Sequence, residues 1–112
     1  MTLSEEKNGQ VFVLGLSGQI DREGAKIFLE RITHILDSGE QCLVIDFTDV
    51  TYINSTGLSA LILVAKRLGK TGGKFILAGV IDPIQKVLKI SGLASLFAVL
   101  PTKAEALASF SN

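Results

Sequence analysis

A chain of 112 residues, 47% of them hydrophobic, has room for one domain spanning residues 1–112, able to bury about two thirds of its unfolded surface. Its eleven basic and eleven acidic side chains cancel, so no overall charge draws it to nucleic acid or to an anionic membrane, and a protein is the expected partner. A single cysteine, Cys42, excludes an internal disulfide and has no companion at metal-ligand spacing, which makes it a packing residue of a strand.

The first residues, Met1 to Lys7, are polar and lack the apolar block of a signal peptide. No apolar run approaches the roughly 18 residues that a membrane span needs, so a cytoplasmic location is expected. Leu3 to Lys7 reads as a short strand, joined through Asn8-Gly9 to a second strand, Gln10 to Leu16. The near-continuous apolar run Val11-Phe12-Val13-Leu14 implies burial on both faces, in an antiparallel hairpin. Asp21 then caps a helix running to about Asp37, with Ala25, Phe28, Leu29, Ile32, Ile35 and Leu36 on one face and Gly39 as its stop. His34 lies off that stripe and faces solvent, and Lys26 and Glu30 are spaced for a surface pair.

Leu43, Val44 and Ile45 form a strand too brief for a helix, and Asp46 is expected to end it. From Leu58 the apolar positions Leu58, Leu61, Ile62, Ala65 and Leu68 follow the spacing of a helix face turned to a core. Thr71-Gly72-Gly73 breaks the pattern before a further strand from Lys74 to Val80, so that a right-handed strand-helix-strand crossover is expected. Asp82-Pro83 starts a short helix closed by Gly92, Leu96 to Leu100 is a last strand, and Thr102 to Glu105 is a capping box that opens a terminal helix with Ala106, Leu107 and Phe110 inward. Lys66, Arg67, Lys70 and Lys74 complement the negative end of the central helix. The fold class is α/β: one mixed sheet of about four to five strands, with about four helices packed mainly on one face.

Between the central strand and its helix lies Asn54-Ser55-Thr56-Gly57: three residues that cap helices, and a glycine that admits the backbone of another chain. Capping is the plain explanation of such a corner. A helix start also offers free N–H groups and the positive end of a dipole, which suit a phosphate, and this makes Ser55 a candidate switch. The segment V-I-D-F-T-D-V-T-Y-I-N-S-T-G-L resembles the signature of STAS domains, specifically of bacterial anti-sigma factor antagonists, matching it at Asp46, Val50, Ile53, Ser55, Thr56, Gly57 and Leu58. Upstream, Leu16 to Asp21 resembles the family's second recurrent segment. Asn54 departs from the family's usual Asp.

The resemblance implies that the unmodified domain binds an anti-sigma factor serine kinase of the histidine-kinase-like ATPase fold and frees the sigma factor. It further implies that phosphorylation at Ser55, with Thr56 as second choice, switches the domain off, and that a PP2C-type phosphatase reverses this. Asp21, Asn54, Ser55, Thr56, Gly57 and Leu58 are the expected partner-binding residues, and a monomer is expected, with a weak dimer as the alternative. The rival reading is a STAS subunit of a transporter or other complex, a protein-binding module without a switch. Catalysis, a cofactor and a metal are not expected: G-x-G-x-x-G, P-loop spacing and G-x-S-x-G are missing, and the lone His34 sits on the first helix.

Overall fold

The computed structural model describes residues 1–111. Strand β1, Thr2–Asn8, and β2, Val11–Ile20, form the antiparallel hairpin, turning on Gly9 and Gln10 with Gly9 at φ 62°. Helix α1, Arg22–Asp37, leads to β3, Cys42–Ile53, then α2, Ser55–Thr71, and β4, Lys74–Ala78. The short helix α3, Asp82–Ile90, and a 3-10 turn, Leu93–Ser95, come before β5, Ala98–Leu100, and α4, Lys103–Ser109. The described residues form one five-stranded sheet in the order β1-β2-β3-β4-β5, with β2 to β5 mutually parallel.

This order decides where the helices go. Each parallel connection steps one strand further the same way, and right-handed crossovers then place α1, α2 and α3 on one face. Phe28, Ile32 and Ile35 of α1 meet Leu61, Val64 and Leu68 of α2 and Ile84 and Leu88 of α3 there, over Leu14, Leu43, Ile45, Phe47 and Leu77 of the sheet. Helix α4 follows the last strand and completes no crossover. It covers the opposite face, where Ala106, Leu107 and Phe110 pack on Val11, Val13, Val44, Ile76 and Ala78, with the half-buried Cys42 at the edge.

The expected end of the central strand at Asp46 is incorrect, since β3 runs on to Ile53. The pairing skips at two places: Leu16 faces both Phe47 and Thr48, and a second shift falls between Gly18 and Gln19. Each bulge puts an extra residue on β3 and would leave a backbone group unpaired. Asp46 resolves the first one, its Oδ1 accepting from Thr48 N at 3.0 Å and Thr48 Oγ1 at 2.6 Å. The buried residues beyond it, Phe47, Val50 and Ile53, therefore recur every third position.

Smaller expectations shift as well. Ile81, not Asp82, is the cap of α3, and Asp82 is its first residue, with Pro83 behind it. The stretch read as a strand from Leu96 to Leu100 starts with Leu96 as the cap of the 3-10 turn, and only its last three residues, Ala98–Leu100, form β5. Lys26 and Glu30 make no ion pair among the described residues, whose pairs join separate elements instead: Lys7 to Glu40, Arg31 to Glu5, Lys103 to Glu6, and Arg67 to Asp37 at 2.8 Å. All four are exposed and each contributes about 0–1 kcal/mol.

Because lateral position in the sheet follows the sequence, charge is sorted along it. Residues 1–49 hold nine acids and four bases, while residues 50–102 hold Lys66, Arg67, Lys70, Lys74, Lys86 and Lys89 against the single acid Asp82. The zero sum conceals an acidic side at β1–α1 and a basic side at α2–α3. On the packing itself, Phe47→Ala removes a side chain that is wholly buried at the first bulge. It is expected to cost about 3–5 kcal/mol, read as a lower urea midpoint at unchanged slope.

Candidate functional site

The parallel pairing of β2 with β3 ends at Ile20 opposite Ile53, and the next backbone N–H, that of Asn54, donates to Ile20 O at 2.9 Å. Two helices thus begin side by side at the carboxyl ends of neighbouring strands, where α/β sheets gather their sites. Asp21 caps α1, its Oδ1 accepting from Gly24 N at 2.9 Å. Asn54 caps α2 in the same geometry, its Oδ1 accepting from Gly57 N at 2.9 Å. The chain therefore uses one device twice: Asp-Arg-Glu-Gly and Asn-Ser-Thr-Gly, each set directly after a strand.

The glycines in these two corners make room within the fold. A Cβ on Gly24 would lie 2.5 Å from Gln19 O, and one on Gly57 would lie 2.7 Å from Ile53 Cγ1 and 2.8 Å from Ile20 Cγ2. The clearance that the sequence suggested for another chain's backbone is used here by the protein's own strand ends, and Gly57 is buried. Gly24 escaped the sequence reading altogether. The signal that would have found it is the repeat of Asx-x-x-Gly after two successive strands.

With Asn54 supplying the cap bond, the hydroxyls of Ser55 and Thr56 are spared that task. They occupy the first two positions of α2 and both residues are exposed. Of the N–H groups in the first turn, those of Gly57 and Leu58 are taken by Asn54, at 2.9 and 3.0 Å, which leaves those of Ser55 and Thr56 for an external acceptor. No acidic side chain lies in that turn. Asp21 is exposed, Asn54 half-buried, and Leu58 half-buried against the main core. The corner thus joins all six expected residues, but only Asp21, Ser55 and Thr56 are fully presented.

Chemically, the corner offers two exposed hydroxyls beside the open N–H groups of a first helical turn. No group of three or more His, Cys, Asp or Glu side chains that could hold a metal ion occurs among the described residues. Among the described residues no helix is long and apolar enough to cross a membrane.

A small α/β module that presents hydroxyls at the mouth of its central helix is the class of protein that fold and corner define. The model of the STAS domain family matches residues 3–106, and the chain belongs to that family. A candidate anti-sigma factor antagonist of Bordetella bronchiseptica, BtrV, is 30% identical over 110 residues, 98% of this chain and 95% of the relative. The anti-sigma-B factor antagonist of Bacillus subtilis is 27% identical over 88 residues, 79% of this chain and 80% of the relative. Among solved structures, a candidate anti-sigma factor antagonist from Thermotoga maritima superposes with a TM-score of 0.92 at 21% identity, covering 98% of this chain and 95% of that one. The Bacillus cell fate determinant SpoIIAA in its phosphorylated form (TM-score 0.78, 20% identity, 97% and 99% coverage) and a sulfate transporter family protein from Wolinella succinogenes (0.78, 21%, 91% and 85%) share the fold.

Two glycines of α2 separate the demands of the corner from those of the helix. Gly69→Ala, where a Cβ meets nothing within 4 Å, is expected to stabilise the protein by about 0.5–1 kcal/mol through helix propensity. Gly57→Ala, which forces a methyl group onto Ile20 and Ile53, is expected to destabilise it by about 1–3 kcal/mol. Thermal unfolding of the two variants checks the opposite signs.

Proposed function

We propose that this chain is an anti-sigma factor antagonist that binds an anti-sigma factor serine kinase, of the histidine-kinase-like ATPase fold, while unmodified, and loses that partner when the kinase phosphorylates Ser55. The observation that carries the reading is the exposure of Ser55 at the first position of α2 while Asn54 alone supplies the cap bond. A modification there leaves the helix start intact. Kinship with the antagonists of Bordetella and Bacillus, at 30% and 27% identity, supports the general role.

Phosphorylation adds about −1.5 to −2 charges and three acceptor oxygens. The N–H groups of Ser55 and Thr56 and the dipole of α2 can hold them within the domain. A partner surface that desolvates the same group without offering a cation loses several kcal/mol, enough to change affinity by orders of magnitude. The switch is then a change of surface rather than of fold, and a PP2C-type phosphatase would restore the binding form. In this reading Asp21, Asn54, Ser55, Thr56 and Leu58 form the contact, and Gly57 serves it by seating the helix. Thr56 is the second-choice acceptor.

The likeness to the Wolinella sulfate transporter family protein supports a second reading, a STAS subunit that docks its partner permanently through the same corner. The two differ in what charge at residue 55 does. Capture of the cognate kinase by wild type, Ser55→Ala and Ser55→Asp is expected to succeed with the first two and to fail with the third, with mass spectrometry placing the phosphate of kinase-treated wild type on Ser55. Equal capture by all three sinks the switch and favours the permanent subunit.

A further inference from the structure

Exposed large apolar side chains are few, and most stand at one margin of the helix layer. Among the described residues Val87, Ile90 and Leu96 lie on α3 and at the end of the 3-10 turn behind it, and Ile90 is 87% exposed. Val87 and Ile90, three apart, share a face of α3. The exposed Lys86 and Lys89 flank them, and the one acid of that helix, Asp82, is at its other end. A lone exposed isoleucine is ordinary, whereas an apolar group rimmed by cations has the composition of a contact.

The opposite margin carries a counterpart. On α1 Ile27 is exposed as well, and Glu23, four residues before it, and Glu30, three after, lie alongside on the same face. Arg31, four after, is committed to Glu5, and Lys26 points about 100° round the helix. Among the described residues Glu23, Glu30, Lys86 and Lys89 make no ion pair, whereas Glu5, Glu6, Asp37 and Glu40 are matched within the chain. The order of the strands sets α2 between α1 and α3, so one molecule cannot bring its own two patches together. A second molecule can.

We infer that the α3 patch docks on the α1 patch of a second copy of this chain, head to tail, with Val87 and Ile90 against Ile27 and with Lys86 and Lys89 against the two glutamates. Pairing either patch with itself about a two-fold axis sets like charges against each other, which is disfavoured. A head-to-tail contact leaves one patch of each kind free, so it continues into open chains. Built on so few side chains, it belongs to the transient class that buries less than about 1,200 Å², and the dilute protein is a monomer.

Sedimentation of the full chain at concentrations up to about 1 mM is the test. The average mass is expected to climb with concentration without levelling at the dimer, and to fall back at about 1 M salt, where charges act over only about 3 Å. Variants are compared at about 0.15 M salt, which confines net repulsion to about 8 Å. Glu23→Lys with Glu30→Lys, and Lys86→Glu with Lys89→Glu, are each expected to sediment as monomers and to associate when mixed, because mixing restores opposite charges across the contact. Lys66→Glu with Lys70→Glu, which alters net charge equally but on α2, is expected to keep the association, and Ile90→Ser to weaken it about tenfold. A plateau at the dimer overturns the inference in favour of a two-fold contact. An equal loss with the α2 pair overturns it in favour of net charge alone. A chain that stays monomeric throughout overturns it too, and its sedimentation with vesicles of phosphatidylglycerol would then assign the α3 patch to a lipid surface.

Discussion

The hydrogen bond from Asn54 N–H to Ile20 O fixes the relation on which the rest of the molecule depends. It extends the β2–β3 pairing by one step beyond the last residues of the two strands, and it brings the starts of α1 and α2 to the same level. For the helices to settle at that level, the third residue of each must have no side chain: Gly24 lies against Gln19 O, and Gly57 lies between Ile53 and Ile20. A methyl group at either place would lift a helix from the strand ends and open the layer between them. The presentation of Ser55 is thus a by-product of close packing beneath it.

From that corner the handedness of the crossovers distributes everything else. Three helices are committed to one face by right-handed connections between strands laid down in order, and the second face is left to whatever follows β5. The short α4 covers it with one wholly buried alanine and two larger side chains, Leu107 and Phe110, and Lys74 Nζ sits 5.3 Å from the centre of the Phe110 ring. Four exposed ion pairs join elements distant in sequence, such as Arg67 of α2 to Asp37 at the end of α1. Apolar burial on the two faces carries the stability, with such surface pairs adding little.

Much of this was legible from the residues. Apolar spacing located α1 and α2, Asp21 and Thr102 marked the starts of α1 and α4, and Asn54 to Gly57 stood out as a polar corner between strand and helix. What could not be read depended on pairing between distant segments. Asp46 has the local look of a strand end, yet it bonds a backbone group that only the bulge opposite Leu16 leaves free. Phe47, Val50 and Ile53 obey a period of three, which no single strand would show without an irregular neighbour. The role of Gly57 was misjudged for the same reason: its missing side chain is explained by Ile20, thirty-seven positions earlier in the chain. Asp82 followed by Pro83 imitates a cap and its first helical turn, but the helix begins one residue sooner.

The sorting of charge along the sheet has its own consequence. A body with as many positive as negative groups, but with the acids collected around β1 and α1 and the bases around α2 and α3, carries an electric moment lying across its strands. It is neutral to a distant ion and directional to a nearby macromolecule, which feels a torque before it feels contact. Molecules that arrive are turned to one preferred heading, and dissolved salt, by shortening the reach of the field to about 10 Å at 0.1 M, blunts that alignment without altering any surface that finally touches.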